Sequence, residues 1–285
     1  MIRLQKINHE KVKPIKINNL ANDNRKWKGH KLFENNLSNI FLCARKKSGK
    51  TSTIYKILKD CANRDTNIIV FSSTCYKDSN YIAMKKYFKN KEIPFICNES
   101  LIDEDKANLL ENFLNEIKVN NKDESDSEDE EKEEDKYIND LQVSMFGRGI
   151  NEDEEEPSKK KSKYKTPNYI FVLDDISTEL KNKAVIKLLK QNRHYNAMVL
   201  ISSQYMNDLD PQSRRQLDYL ILFKGHRPDK LEIIYKDTDL SIEYETFLDL
   251  YKNATEKPFN FLYVDIRNDE YRRNFNYKYI IDENK

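Results

Sequence analysis

An eight-residue motif constrains this chain more than any other feature of its sequence. Residues 44–51 read Ala-Arg-Lys-Lys-Ser-Gly-Lys-Thr and follow directly on the apolar run 40–43. A strand, a loop of this kind and a helix starting near Lys50 form the layout of a nucleoside-triphosphate site. Backbone N–H groups of such a loop point at the phosphates, Lys50 reaches the outer phosphates and the Thr51 hydroxyl binds Mg²⁺. The motif therefore predicts ATP and Mg²⁺ as cofactors.

The first position of the motif departs from the usual pattern. That position is ordinarily glycine, because the turn can require a positive φ or a close backbone approach, and here it is Ala44. Taken alone, the segment also fits a basic turn before an ordinary helix. The predicted nucleotide-binding residues are Ala44, Arg45, Lys46, Lys47, Ser48, Gly49, Lys50, Thr51 and Ser52.

A second motif supplies the acidic groups that a phosphate loop needs. The apolar run 169–173 ends in Asp174 and Asp175, and a buried parallel strand delivers carboxylates to its C-terminal edge in this way. We expect Asp174 to hold Mg²⁺ together with Thr51, and Asp175 to orient or deprotonate the attacking water. An acidic cap for the following helix is the alternative, and it explains two aspartates poorly when a phosphate loop lies upstream.

Four further side chains are candidates for catalysis. Gln204 follows the apolar run 199–201 and would lie near the γ-phosphate if that strand is central in the sheet. Arg193 precedes this strand, and Arg214 and Arg215 follow it. An arginine supplied to a neighbouring subunit stabilises transition-state charge there. Each arginine taken singly also fits an ordinary surface or phosphate-contacting residue.

Charge is divided unevenly along the chain. The whole chain carries +2, but residues 123–156 contain 16 acidic and three basic side chains. The remaining residues, with 47 basic and 32 acidic side chains, carry a net charge of +15. This division favours a polyanion as the partner of the basic body. A lysine-rich surface from an A/T-biased genome is the alternative that charge alone leaves open.

The cysteines indicate a reducing compartment. Cys43, Cys61, Cys75 and Cys97 are scattered, without a Cys-x-x-Cys pair, which favours reduced, mostly buried thiols and disfavours a zinc site. No apolar stretch approaches the roughly 18 residues of a membrane span, and the N-terminus has no secretory signal. We therefore expect a soluble intracellular protein without an integral membrane segment.

The pattern of elements predicts an α/β fold with a mostly parallel sheet flanked by helices. The low-complexity acidic insert has too little apolar surface to fold, so we expect it to be disordered, either as a solvated loop or as a tethered polyanion that competes with nucleic acid. The predicted divisions are an N-terminal basic arm at 1–30, the first part of the core at 31–118, the insert at 119–165, and the second part with a C-terminal strand and tail at 166–285. The predicted strands are 39–43, 67–72, 169–173, 198–202, 219–223 and a final one at 260–265; the predicted helices are 50–62, 81–88, 104–117, 181–191, 228–236 and 242–254.

The order of these motifs resembles a known family. It is similar to the genome-packaging ATPases of poxviruses, other large DNA viruses and virophages, which belong to the FtsK–HerA group of P-loop ATPases. The resemblance covers about residues 32–118 and 166–266. The segments that carry it are the phosphate loop, Tyr-Ile-Phe-Val-Leu-Asp-Asp at 169–175, Asn-Arg-His-Tyr-Asn at 192–196, Val-Leu-Ile-Ser-Ser-Gln at 199–204 and Arg-Arg-Gln-Leu-Asp-Tyr at 214–219.

The resemblance implies a RecA-like fold, a homo-oligomeric ring and ATP-driven movement of double-stranded DNA into a capsid. It also implies a capsid or portal-vertex protein as a partner, and a location in the host cytoplasm, at a viral factory, or in the virion. The implied residue roles are Lys50 and Thr51 at the phosphates and Mg²⁺, Asp174 at the metal, Asp175 as the acidic catalytic group, Gln204 as the strand-end sensor, and Arg215 and Arg193 at subunit contacts.

The predicted activity is therefore ATP hydrolysis coupled to translocation of duplex DNA without sequence specificity. Three alternatives stay open at this point. They are a P-loop kinase for a small molecule, a DNA helicase, and a nucleotide-binding scaffold that does not hydrolyse ATP. The scaffold is motivated by Ala44 and by the presence of only five glycines in the chain.

Overall fold

The structure, a computed structural model, describes residues 25–123 and 162–281. Most of the predicted basic arm, the central part of the acidic insert and the last four residues of the predicted tail lie outside the described residues. The predicted disorder of the insert therefore also falls outside them. Within the described ranges, no helix combines the length and the apolar character needed to cross a bilayer.

One sheet of nine strands forms the centre of the described part of the chain, in the order β3-β2-β4-β5-β1-β6-β7-β8-β9. The six strands from β3 to β6 are parallel, and the last three are antiparallel. The predicted, mostly parallel α/β sheet is therefore confirmed. The strands are β1 (Asn39–Cys43), β2 (Asn67–Ser72), β3 (Phe95–Asn98), β4 (Tyr169–Asp174), β5 (Ala197–Ser203), β6 (Tyr219–Phe223), β7 (Phe261–Asp265), β8 (Glu270–Arg273) and β9 (Tyr277–Lys278).

Three of these strands were not predicted from the sequence. β3 has only four residues, three of them partly exposed, and β8 and β9 are short, polar strands at the opposite side of the sheet. Short, half-exposed edge strands lack the continuous apolar run by which buried strands are recognised. The prediction that the strand near 260–265 is the final one is therefore wrong, because β8 and β9 extend the sheet beyond it.

Helices cover both faces of the sheet, and side-chain caps set several of their starts. Asp78 accepts a hydrogen bond from the Asn80 amide, so α2 begins before the predicted position 81. Asn108 accepts from the Glu111 amide at 3.0 Å, so α3 begins well after the predicted position 104. The helices are α1 (Lys50–Cys61), α2 (Ser79–Lys89), α3 (Leu109–Asp123), α4 (Lys183–Gln191), α5 (Pro211–Arg214), α6 (Pro228–Thr238) and α7 (Tyr244–Ala254).

Alternation along the strands divides the core into two layers. In β1, Ile40 and Leu42 pack with α1 and α2 on one face, whereas Phe41 packs with α3, α4, α6 and α7 on the other. Successive strand residues point to opposite faces, so an uninterrupted apolar run is what a strand covered on both sides requires. All four cysteines are free and buried in these layers, as predicted.

The predicted boundaries of the insert fall inside paired structure. Helix α3 continues to Asp123, five residues past the predicted boundary. On the other side, the Lys28 amide donates to the Lys165 carbonyl at 2.9 Å, and the Lys165 amide donates to Lys26 at 3.1 Å. The Lys165 ammonium also lies 4.6 Å from the centroid of the Trp27 ring. Residues on both sides of the predicted insert and arm boundaries therefore belong to the folded body.

Candidate functional site

Strand order brings three predicted segments to one edge of the sheet. β5 lies between β1 and β4, with Cys43 in register with Ser203 and Asp174 in register with Ser202. The phosphate loop leaves the C-terminal end of β1, Asp174 ends β4, and Gln204 follows β5 directly. Ligands of open α/β sheets bind at this C-terminal edge. The structure therefore assembles the predicted loop, carboxylates and glutamine at one place.

The phosphate loop turns through two residues in the left-handed region. Gly49 has a φ of 98° and caps α1, and Lys47 has a φ of 64°. Only glycine adopts a φ as large as that of Gly49 without strain, which accounts for glycine at position 49. Ala44 has no positive φ, and its amide continues the ladder to the Ser203 carbonyl at 3.0 Å. Alanine at the first position of the motif therefore needs no left-handed backbone, and the loop closes without a glycine there.

Lys50 lies between Asp174, the last residue of β4, and Asp175, which follows it. Its ammonium is 3.2 Å from Asp174 Oδ1 and forms an ion pair with Asp175 Oδ1. Lys50 and Asp174 are buried, whereas the Asp175 side chain is 34% exposed. Asp175 has a φ of 55°, an angle that aspartate tolerates better than most residues. Because phosphate oxygens compete with these carboxylates for the ammonium, Lys50 can exchange between the aspartates and a nucleotide.

The two oxygens of Asp174 have different surroundings. Oδ2 accepts a 2.7 Å hydrogen bond from the buried Tyr81 hydroxyl, while Oδ1 accepts no hydrogen bond from any described residue. Burial, and then the charge of Asp174, raise the pKa of Tyr81, so its hydroxyl stays a donor. Mg²⁺ takes oxygen ligands from one or two carboxylates and from phosphates. Oδ1 lies 3.2 Å from the Lys50 ammonium. Once Lys50 moves to a phosphate, Oδ1 and Thr51 in the first turn of α1 fit such an ion.

An aromatic cleft adjoins the loop on the α1 side, and the sequence analysis did not identify it. Its volume is about 820 Å³. Phe259 is 68% exposed there, and its ring is so close to Gly49 that an added Cβ would lie 3.3 Å from Phe259 Cδ1. The signal available in the sequence was Phe259 after Pro258, between a predicted helix and a predicted strand. The cleft is lined by Lys31, Leu32, Gly49, Ser52, Thr53, Lys56, Asp60, Phe259, Phe261, Asn274, Phe275 and Asn276.

The candidate arginines do not join this edge within one chain. Arg193 Nη2 lies 3.7 Å from Asp218 Oδ1, and Asp218 precedes β6 at the opposite edge of the sheet. Arg215 lies next to Gln216, whose carbonyl accepts from Asn39 Nδ2 at the start of β1. Arg214 is held by Asp237 at 2.7 Å. A contribution of Arg193 or Arg215 to a phosphate site therefore requires a neighbouring subunit.

Gln204 follows β5 directly, next to the C-terminal end of β1. Its carbonyl accepts from Cys43 Sγ at 3.4 Å, and the residue lines a narrow space together with Cys43, His226 and Lys230. The glutamine therefore borders both the phosphate edge and the space beside it.

The chain matches no protein-family model and no curated protein sequence. Among solved structures it is similar to the genome-packaging NTPase B204 from Sulfolobus turreted icosahedral virus 2 in complex with ATP-gammaS. The TM-score is 0.50 at 19% identity, over 87% of this chain and 100% of that one. The cytoplasmic domain of the Thermomonospora curvata Type VII secretion ATPase EccC has a TM-score of 0.49 at 13% identity, over 87% of this chain and 26% of that one.

The resemblance found in the sequence is thus confirmed at the level of the fold. At 19% identity the similarity to B204 concerns the fold alone. The evidence for a nucleotide site is the set of motifs that this chain itself has at the edge of the sheet. The chain has the α/β P-loop NTPase fold that is also found in a viral genome-packaging NTPase.

Proposed function

We propose that this chain is a Mg²⁺-dependent ATPase that moves double-stranded DNA, and that it packages a viral genome into a capsid. The observation that carries the proposal is the placement of Lys50, between Asp174 and Asp175, at the start of α1 behind the phosphate loop. A cation, two carboxylates and a helix N-terminus at one sheet edge are the parts needed to bind and cleave a triphosphate.

Each residue has a role in this mechanism. The loop amides and the Lys50 ammonium hold the β- and γ-phosphates, and Lys50 leaves the aspartates as it does so. Asp175, the more exposed of the two, accepts a hydrogen bond from the attacking water and orients it in line with the γ-phosphate. Bound Mg²⁺, held by Asp174 Oδ1 and Thr51, would supply charge neutralisation at the phosphates. Gln204 reports the state of the γ-phosphate to the following segment.

The aromatic cleft supplies the position for the nucleoside. Phe259 presents an exposed ring directly beside Gly49, and a purine stacks favourably on such a ring. The surrounding asparagines Asn274 and Asn276 add amide groups at the rim of the cleft. We infer that ATP binds with its phosphates on the loop and its base against Phe259.

The proposed partners follow from charge and from the placement of the arginines. The body outside residues 123–156 carries +15, which attracts the phosphates of duplex DNA without reading sequence. Arg193 and Arg215 lie at the edge opposite the loop, so they complete a site only across a subunit contact, as in a homo-oligomeric ring. B204 is described as a genome-packaging NTPase, and we propose a similar role for this chain, with a capsid or portal protein as its partner in the host cytoplasm or the virion.

Steady-state ATP hydrolysis with and without long duplex DNA tests the proposal. We expect DNA to stimulate turnover in the natural chain and Lys50→Ala to abolish turnover. Lys59→Ala is the matched control, since Lys59 is an exposed lysine on the same helix. Binding of ATP without turnover in either condition would refute the motor and favour a scaffold. Turnover that depends on a small-molecule acceptor would favour a kinase, and separation of DNA strands would favour a helicase.

A further inference from the structure

A basic cleft opens beside the phosphate loop, on the side away from Phe259. Its volume is about 550 Å³, and it lies at the same C-terminal edge of the sheet. We propose that this basic cleft binds the phosphodiester backbone of duplex DNA and thereby places DNA in contact with the nucleotide site. The inference rests on the proposed function for its choice of polyanion. The lining residues are Arg45, Tyr205, Asn207, Asp208, His226, Arg227 and Lys230.

Three cations from two separate segments converge on the cleft. Arg45 comes from the phosphate loop, Arg227 caps α6, and Lys230 lies in the first turn of that helix. The α6 N-terminus adds the positive end of a helix of 11 residues. Point charges of this kind, combined with a helix N-terminus, recognise phosphate groups.

The acidic groups nearby compete weakly for these cations. Arg227 Nε is 3.5 Å and Lys230 Nζ 3.9 Å from the exposed Asp229 carboxylate. Exposed pairs of this length are worth little, so a phosphate can replace Asp229. Asp208, the acid in the lining, accepts a hydrogen bond from the Ser203 hydroxyl. The cleft therefore retains an excess of positive charge that is available to an anion.

The backbone around Gly225 aims Arg45 into the cleft. Gly225 has a φ of 112°, and an added Cβ would lie 3.2 Å from Arg45 Cδ, so the arginine stem packs directly on the glycine. The turn is held by His226, whose Nε2 lies 3.1 Å from the Cys43 carbonyl oxygen. The Tyr251 hydroxyl accepts from the His226 amide at 3.1 Å and donates to the Phe223 carbonyl at 2.8 Å. Arg45 thus contributes its backbone to the phosphate loop and its side chain to the cleft.

The remaining lining suits a nucleic acid better than a small anion. Tyr205 is 45% exposed, and the Lys230 ammonium lies 5.9 Å from its ring centroid. Asn207 is exposed beside it. An aromatic ring and an amide next to cations offer contacts to sugar and base as well as to phosphate, without the paired donors that read a base edge.

The cleft and the nucleotide site share two segments of the chain. Arg45 belongs to the phosphate loop, and Gln204 borders the narrow space that it shares with His226 and Lys230. A DNA phosphate held by Arg45 and Lys230 therefore contacts one residue of the phosphate loop and one residue that borders the same narrow space as Gln204. This contact gives DNA a direct route by which to change the rate of hydrolysis.

Binding of a short labelled duplex, measured by fluorescence anisotropy without nucleotide, tests the inference. The variant Arg227→Ala/Lys230→Ala removes two cations of the cleft. The control Lys236→Ala/Lys252→Ala removes two exposed cations of α6 and α7 outside it. Between roughly 50 and 200 mM salt, the plot of log affinity against log salt should lose about 2 units of slope in the cleft variant. Affinity should fall about tenfold or more, while the control should bind like the natural chain.

The other outcomes separate the inference from the proposed function. If the natural chain binds no duplex, DNA is not the partner, and both the proposed function and the inference are refuted. Equal binding by the cleft variant, or equal loss in the control, would overturn the inference alone. Inorganic phosphate that displaces the duplex at matched ionic strength would assign the cleft to the free ion instead of the phosphodiester backbone.

Discussion

The hydroxyl of Tyr81 donates a 2.7 Å hydrogen bond to Oδ2 of Asp174. This contact joins helix α2 to the last residue of β4, across 93 positions of sequence, and both side chains are buried. It fixes the carboxylate so that Oδ1 faces Lys50. Partners of this kind orient a metal-binding carboxylate without touching the ion themselves. Tyr81 is therefore a positioning residue for the proposed Mg²⁺ site.

Tyr81→Phe should lower the affinity of the protein for Mg²⁺. Loss of the hydroxyl leaves Oδ2 without its donor, and changes of this type lower metal affinity about 10- to 100-fold. The measurement is the Mg²⁺ concentration that half-saturates binding of a fluorescent ATP analogue, followed by the same titration of hydrolysis. Tyr87→Phe on the same helix is the control. An unchanged Mg²⁺ midpoint in Tyr81→Phe would show that the contact is only structural.

Phe259→Ala should weaken ATP binding only by removing the contact with the adenine base. Stacking of a base on an aromatic ring contributes about 1–3 kcal/mol, so the affinity for ATP should fall several-fold to about a hundredfold. The affinity for inorganic triphosphate, which has no base, should not change. Calorimetric titration of both ligands gives the comparison, with Phe259→Tyr as the conservative variant. A parallel loss for the two ligands would mean that the ring supports the Gly49 turn instead of the nucleoside.

Lys50→Ala should destabilise the protein even without nucleotide. The substitution leaves two neighbouring carboxylates without their cation, and breaking a buried ion pair costs about 3–5 kcal/mol. Because Asp175 is 34% exposed, we expect the lower end, about 3 kcal/mol. Urea unfolding of the nucleotide-free chain measures this loss. The same substitution made on top of Asp174→Asn and Asp175→Asn should be far milder, and an equal effect in that background would contradict the ion-pair explanation.

His226 should make stability depend on pH just below neutrality. Burial lowers its pKa below the ordinary 6.5, Arg45 lowers it further, and the Cys43 carbonyl opposes them. Asp208, Arg227 and Lys230 line the same cleft as His226, and Tyr251 accepts from its amide. The unfolded chain then binds the proton more readily, so the free energy of unfolding is highest above pH 6.5 and falls as the pH drops through the lowered pKa.

His226→Gln keeps a side-chain donor for the Cys43 carbonyl and cannot titrate. Chemical unfolding between about pH 7.5 and 5.5 should therefore show a shallower decline for this variant than for the natural chain. His194→Gln, at an exposed histidine, is the matched comparison. Identical slopes for the natural chain and His226→Gln would be evidence against a lowered pKa.

Mixing of variants should reveal whether Arg215 acts across a subunit contact. Arg215→Ala and Lys50→Ala should each be inactive on their own. If Arg215 serves a neighbour's site, mixed oligomers contain some sites with Lys50 from one variant and Arg215 from the other. Partial recovery of ATP hydrolysis on mixing is the expected result. If Lys50→Ala recovers activity when mixed with Arg193→Ala but not with Arg215→Ala, Arg193 is the residue that acts on the neighbouring site. If neither mixture recovers activity, neither arginine acts across the subunit contact.

The aspartates and the phosphate loop were predictable because their signals are local. An apolar run that ends in Asp174, and another that leads into residues 44–51, carry their own evidence for a strand ending at a sheet edge. The sequence did not predict β3 and β8, because short half-exposed strands lack an apolar run. It also did not predict the helix start at Leu109, because several polar residues before it could equally have served as the cap that Asn108 forms. The doubt over Ala44 could be settled only by its backbone angle.

The sequence by itself determined the parts of the candidate site: Lys50, Asp174, Asp175 and Gln204 at the ends of buried strands, with a phosphate loop between strand and helix. Their relation was decided by the tertiary structure. The placement of β5 between β1 and β4, the Tyr81 contact, the ring of Phe259 at Gly49 and the aim of Arg45 into the basic cleft all depend on strand order and on contacts between distant segments. Hydrophobic periodicity records only which face of an element is buried, so it carries no information about which distant element covers that face.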